Sequence, residues 1–565
     1  MKLFRLLAFA PFLVTAAGAV ANPREVASAT SVAAVQAPAT SNDAAQQNAS
    51  ASSNEVSLSL ADATRRALAR NHELAIERES FKIAALSLDR AEGAYDPSFH
   101  LEARYRDHTD PVNSVLSGAL PGQDAPRQKG VFTSASLTQL LPTGGSVAVS
   151  TAIARERTDS LFAVLAPSYQ TLLGIDLRQP ILQNRSTDPA RRAIRIARID
   201  RDRSLWSLRR TVTETLTNVD RAYWTLVAAR LDAAVRRSSV SLAQEQRSDA
   251  QARIEAGTLP ETDIAQPTAE IERRRGELYG VEEGAQRAEN QLKELILADA
   301  EDPLWNATLI PTEMPETTPI PLDLARAFQE ARARRPELAE ARTRFERQLL
   351  ESETARERVL PQLDLVASYT RRGLAGSLNP SAVSFTGAPV AAPQALDGGL
   401  GRSFGTITEN RFPDASVGLA LTVPLGNRAA KAEYAIARSA ERQASIGIEQ
   451  LRQRIAVEVR NAALALKTAA QRIEAAHSGR LAAETQLGAE RERFGVGLTT
   501  NFFVLTRQNE LASAQVTETA ALTDYRKAMT DYARAVGTLL DERDIKIQDQ
   551  TQDDAPQTRA NGASR

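Results

Sequence analysis

Few side chains in this 565-residue chain are of the kinds that do covalent chemistry, and those few are not arranged to do it. Cysteine is absent, which removes thiol nucleophiles, disulfides and sulfur ligands for a metal. The four histidines, His72, His100, His108 and His477, share no ligand spacing. No nucleophile has a neighbouring base and no paired carboxylates make a recognisable site, so neither an enzyme nor a cofactor or metal is expected. Gly495-Val496-Gly497 has the look of a nucleotide loop, but it follows a helical run rather than a strand and lacks the rest of that fingerprint. Lys and Arg number 69 against 70 Asp and Glu, a balance that argues against a nucleic-acid partner.

What the chain offers instead is reach. Arg493 to Phe503 is a glycine-marked turn between two long helical runs. Ala430 to Val496 has no proline, and only Gly447, Gly479 and Gly488 interrupt it before the turn. Thr499 to Leu540 has no proline and one late glycine, Gly537. At about 1.5 Å per residue these runs would be roughly 100 Å and 60 Å long, more than any globular core needs.

The ends are of a different kind. Lys2 and Arg5, the apolar run Leu6 to Val14 and then Ala19-Val20-Ala21 read as a secretory signal peptide over 1–21. Residues 22–56 and 541–565 are poor in large apolar residues and read as a disordered lead and tail. Nowhere between them do 18 apolar residues run without interruption, so no helical membrane span is expected.

The interior is written twice. Glu73-Leu74-Ala75 and Glu337-Leu338-Ala339 lie 264 positions apart (337 − 73), and the same offset pairs Leu60 with Leu324, Phe81 with Phe345, Pro97 with Pro361 and Tyr105 with Tyr369. Farther on, an offset of 240 (497 − 257) pairs Gly257 with Gly497, Arg253 with Arg493 and Glu270 with Glu510. The first repeat then spans 57–297, a proline-punctuated connector 298–321, and the second repeat 322–540.

In each repeat two helices end at a proline, after which the period drops to two. Phe99, Leu101, Ala103 and Tyr105 alternate with polar residues, and so do Leu363, Leu365, Ala367 and Tyr369. Strands are expected at about 98–106 and 170–181 in the first repeat and about 362–370 and 415–425 in the second. Residues 131–155 add a hairpin signal to the first repeat alone, and its place in or beside the main sheet is left open. Each strand pair feeds a helical hairpin, 189–297 with its tip near Gly257 and 428–540 with its tip near Gly497. Asp188 and Pro189 start the first of these, and Pro267 is expected to disturb its return helix.

Strands with one apolar face can lie in lipid only as part of a closed barrel, because open edges leave backbone groups unpaired in hydrocarbon. Four strands, or six, cannot close around water, so the barrel must be shared between copies. Phe99, Leu101, Tyr105, Leu363, Leu365, Tyr369, Val417, Leu419 and Leu421 are the expected lipid-facing residues.

Ala333-Arg334-Arg335-Pro336-Glu337-Leu338, the opening helix Leu60 to Asn71, Gln179-Pro180-Ile181-Leu182 and the tips at Gly257 and Gly497 together resemble the TolC-like outer-membrane efflux proteins, over about residues 57 to 540. The resemblance implies a mainly α protein with a transmembrane β portion: a homotrimer, a 12-stranded barrel in the outer membrane and a periplasmic α-helical barrel closed by the tips. It implies an export duct that meets a periplasmic membrane-fusion adaptor and an inner-membrane pump of the RND or ABC type. Gly257 with Thr262 and Asp263 fits the first tip of that family and places Asp263 near the entrance. The second tip, which includes Leu498, departs, with Thr499, Phe503 and Thr506 where relatives often carry Arg and acidic residues, so Phe502 or Phe503 is expected to form an apolar constriction. The competing reading is a periplasmic coiled-coil scaffold that never inserts, and the strands repeated in both halves argue against it.

Overall fold

The computed structural model describes residues 35–36, 55–109, 111, 118–120, 122–258, 260–317, 321–384 and 390–547. The signal-peptide segment 1–21, and most of the lead and tail, lie outside these residues. The chain opens with β1 (Val35–Gln36), β2 (Glu55–Leu58), α1 (Leu60–Arg70) and α2 (His72–Glu92). Four strands follow, β3 (Ser98–Thr109), β4 (Arg127–Leu140), β5 (Ser146–Thr158) and β6 (Leu165–Pro180), and then α3 (Pro189–Glu255) and α4 (Ala265–Ile296). A connector containing β7 (Thr308–Pro311) leads to α5 (Leu324–Arg334), α6 (Pro336–Glu357), β8 (Gln362–Leu378), α7 (Leu400–Thr408) and β9 (Phe412–Thr422). The chain ends with α8 (Arg428–Gly495), α9 (Asn501–Val536), α10 (Leu539–Glu542) and β10 (Lys546–Ile547). Among the described residues no helix is long and apolar enough to cross a membrane.

The helices start where side chains can satisfy their free N–H groups. Ser59 accepts from Asp62 N, Asn71 from Leu74 N, Asp323 from Ala325 N and Arg326 N, and Asp188 from Ala190 N and Arg191 N, with Pro189 in the first turn. Each such cap contributes about 1 kcal/mol. Pro267 does not disturb the return helix. It falls in the first turn of α4, where the missing N–H is not needed, and it is buried.

The sheet holds six strands in the order β3-β4-β5-β6-β8-β9, and every pair is antiparallel. The hairpin at 131–155 is thus longer than the sequence signal, and it is inserted between the two strands of the first repeat. One chain supplies six strands, not the four on which a 12-stranded barrel rests. The reason is local: Gly144 at φ 82° closes a tight turn, and there Thr143 Oγ1 lies 2.7 Å from Gln179 Oε1 while Gln179 Nε2 donates to Thr143 O at 3.0 Å. The turn is therefore fastened to the end of β6.

Register rows run across the whole sheet, as in Phe99, Leu137, Val149, Ile175, Tyr369 and Ala415. Since side chains alternate between faces, all nine residues from Phe99 to Leu421 named above lie on one apolar face. The other face is polar: Arg178 donates to Asp364 at 2.6 and 2.9 Å, Ser368 and Ser416 hydroxyls lie 2.7 Å apart, and Arg372 meets Asp414 at 3.3 Å. α7, in a stretch that reads as loop from sequence, packs on the apolar face, where Thr171 and Ser403 hydroxyls share a bond of 2.8 Å.

Below the sheet the helices pack pairwise around separate cores. Tyr223, Trp224 and Leu226 of α3 meet Leu292 and Ile296 of α4 and Leu60 of α1, while Val459 of α8 meets Leu338 and Val536. The lead and tail are not featureless throughout. β2 pairs in parallel with β7, and β1 pairs with β10, because Ile545 and Ile547 are buried with Leu68 and Leu74. Glu313 of the connector accepts from Leu60 N at 2.8 and 3.0 Å and so caps α1.

Candidate functional site

Both hairpin tips are built from one backbone motif. In the first, Thr258 N donates to Arg253 O at 2.9 Å and Gly257 N to Ile254 O at 2.9 Å, with Gly257 at φ 72°. In the second, Leu498 N donates to Arg493 O at 2.9 Å and Gly497 N to Phe494 O at 3.1 Å, with Gly497 at φ 79°. This is the Schellman ending, in which the left-handed residue closes the last carbonyls of the helix and glycine is the residue that adopts it without strain. It ties the recurrence of Arg and Gly four residues apart to one local structure.

The tips differ in what they expose. Thr262 and Asp263 are exposed in the short turn Glu261–Ile264 that opens the return of the first hairpin. At the second tip Leu498 is 79% exposed, and Phe502 and Phe503 are 54% and 50% exposed. Their rings stack edge to face with centroids 5.6 Å apart. Thr499 is partly exposed just ahead of them. The two tips touch one another, since the Arg253 guanidinium lies over the Phe494 ring at 4.5 Å.

Three turns above the tip a polar cluster, missed from the sequence, fastens the hairpins together. Arg274 of α4 is 2% exposed; its Nη1 donates to Ser239 O at 2.7 Å and Gln508 Oε1 at 3.2 Å, and its Nη2 to Leu505 O at 3.3 Å. Its Nε donates to Glu270 at 2.7 Å, and Asn509 Nδ2 donates to the same carboxylate at 2.9 Å. Burial alone pushes the Glu270 carboxyl up, but the bonds from Arg273, Asn509 and Arg274 outweigh it and bring the pKa down to about 2. In the sequence Glu270 and Arg274 look like any exposed helical pair four apart. Glu510, the residue equivalent to Glu270 in the second repeat, makes only an exposed pair with Arg507, three residues away, at 2.6 Å.

Among the described residues no cluster of His, Cys, Asp and Glu could hold a metal ion. The described residues thus form an amphipathic sheet at one end, long helices, and paired tips at the other. Residues 327–538, most of the second repeat, match the model of the outer membrane efflux protein family. No curated protein matches the sequence. Solved structures that share the fold include the CmeC outer membrane channel of Campylobacter jejuni, with a TM-score of 0.59 at 15% identity over 87% of this chain and 88% of that one. The outer membrane protein VceC of Vibrio cholerae gives 0.57 at 16% identity, over 85% of this chain and 96% of its own. The open-state MtrE outer membrane channel of Neisseria gonorrhoeae gives 0.56 at 15% identity, over 90% and 99%. The second repeat is thus similar to that family, and the chain as a whole shares the fold of these channels.

Proposed function

We propose that three copies of this chain close into an exit duct that passively conducts substrates from a periplasmic pump and adaptor complex to the exterior, in a tripartite efflux or type I secretion system. One observation carries the reading: the sheet has two open edges, β3 and β9, which run in opposite directions, and β9 is exposed along its whole length. Such edges can be satisfied in lipid only by pairing β9 of one copy with β3 of the next, a head-to-tail contact that closes into a ring. The helices that continue those strands carry matching exposed apolar residues. Ile76, Ile83 and Leu86 lie on α2, and Ile436, Ile446, Val457 and Leu464 lie on α8 at spacings that keep one helical stripe.

In this reading the apolar face, from Phe99 and Leu101 to Leu419 and Leu421, meets lipid and the face with Arg178 and Asp364 lines the lumen. Three six-stranded sheets give an 18-stranded barrel, about half again as wide as a 12-stranded one at the same strand tilt. The tips at Gly257 and Gly497 form the periplasmic entrance and the docking point for a membrane-fusion adaptor, with Asp263 at its rim and Phe502 and Phe503 as its apolar constriction. The energy comes from an inner-membrane pump of the RND or ABC type. Heat-modifiable trimers in outer-membrane fractions, conducting in planar bilayers, are the expected result. A soluble monomer in the periplasmic extract would instead favour the scaffold.

A further inference from the structure

The apolar face of the sheet ends abruptly in positive charge, and only at the end away from the helices. On β5 the residues on that face run Val147, Val149, Thr151, Ile153 and then Arg155 and Arg157; on β4 they run from Leu137 to Val131 and then Lys129 and Arg127. From Val147 to Arg155 is about 20 Å along the axis of a barrel of ordinary tilt, close to the height of a lipid-facing band. The sheet therefore passes from apolar to cationic where the hydrocarbon of the outer leaflet gives way to its headgroups.

Among the described residues the protein neutralises these cations only in part, through Asp107. Lys129 and Arg157 stand directly opposite each other across β4 and β5, a like-charge pair that costs stability unless an anion lies between them. Asp107 is taken by Arg127 at 2.6 Å and lies 3.6 Å from Lys129, and Asp159 accepts the Arg127 backbone N–H at 2.7 Å. Arg155 rests over the Tyr169 ring at 6.0 Å. Among the described residues neither Arg155 nor Arg157 has a carboxylate within ion-pair distance, and both are exposed.

Resting on the duct reading above, we infer that Lys129, Arg155 and Arg157, steadied by Arg127 and Tyr169, bind the phosphate groups of phosphorylated lipids in the outer leaflet. The cluster points away from the lumen and continues the apolar band. Its occupant must therefore carry acyl chains that lie on Val131 and Ile153 as well as phosphates that reach the guanidinium groups, which a lipid supplies and a free anion does not. Arg is suited to the task because its planar fork pairs with phosphate oxygens two at a time.

The test uses the full-length protein in detergent, titrated with a diphosphorylated acylated glucosamine disaccharide (lipid A) and with its phosphate-free form. Wild-type protein is expected to prefer the phosphorylated form. The double variant Arg155→Gln/Arg157→Gln is expected to lose about 30-fold in affinity, at about fivefold for each cation. Arg104→Gln/Arg106→Gln, on the opposite face, is expected to bind as wild type does. If the double variant does not fold, Lys129→Gln carries the test with about a fivefold loss.

Equal binding of the phosphate-free lipid, unchanged binding by Arg155→Gln/Arg157→Gln, equal losses from both faces, or displacement of the lipid by millimolar inorganic phosphate would each overturn the site alone. Absence of oligomers and of outer-membrane insertion would overturn the duct and the site together.

Discussion

The guanidinium of Arg253 lies over the ring of Phe494, 4.5 Å from its centroid, and through this pair the last turn of α3 holds the last turn of α8. Both residues sit just before the glycine that ends their helix, so the contact couples the positions of the two tips. A cation over an aromatic face is worth about 0.5–1 kcal/mol at a partly exposed site. That is too little to change the fold, but enough to shift the balance between two positions of the tips.

Phe494→Ala is therefore expected to raise leak conductance in planar bilayers while lowering the melting temperature by no more than a few degrees. Arg253→Lys keeps the charge but loses the planar stacking, and it is expected to fall between wild type and Phe494→Ala. Wild-type leak in Phe494→Ala would remove this contact from any role in closure.

Arg274 answers to a different energy scale. Replacing it by Met leaves Ser239 O, Gln508 Oε1 and Leu505 O without their buried donor while Glu270 keeps Arg273 and Asn509, and a buried acceptor left unpaired costs about 1–3 kcal/mol. Thermal melting should show a clear drop. Hydrogen exchange should speed up at residues 239 and 505–509, where the hairpins lose their shared fastening. Exchange that changes only on α4 would mean that Arg274 does not join the two hairpins.

Acid should release the same fastening from the other side. The Glu270 carboxyl is held at about 2 against an ordinary 4.5, so its contribution is full above pH 4.5 and falls away as the pH drops toward 2. Denaturation measured from pH 7 to pH 2 should show this loss in the wild type, and Glu270→Gln should flatten that part of the curve. A Glu270→Gln profile parallel to wild type between pH 4.5 and 2 would contradict the pairing.

Phe502 and Phe503 are exposed in a single chain, and the proposed ring would bring three such pairs together. Replacing both by Ala is expected to increase leak conductance without affecting trimer recovery, since neither ring belongs to a buried core. Unchanged leak would argue against the apolar constriction and leave the entrance to Asp263 and its neighbours.

Much of the architecture follows from short-range order. Apolar residues two apart make Phe99 to Tyr105 a strand wherever it lies, and a run without proline from Ala430 to Val496 is helical because nothing in it stops the ladder. The tips rest on the same kind of local order: a left-handed residue ends a helix in the Schellman manner, and Gly257 and Gly497 supply it, whereas Gly447, Gly479 and Gly488 lie inside α8 without ending it. A repeat of 264 and then 240 residues is likewise a property of the string.

What needed the third dimension is whatever depends on which element lies beside which. The hairpin of β4 and β5 reads the same in sequence whether it joins the sheet or hangs from it, and only its pairing with both β3 and β6 makes six strands. Glu270 and Arg274 look like a solvated pair until Gln508 and Asn509 arrive from more than 230 positions away. Lys129 and Arg157 are 28 residues apart (157 − 129), and they become one charge cluster because the register of two strands sets them face to face. Local sequence dictates the element and its faces. The neighbours that give a face its charge, its lipid or its lock are chosen by packing.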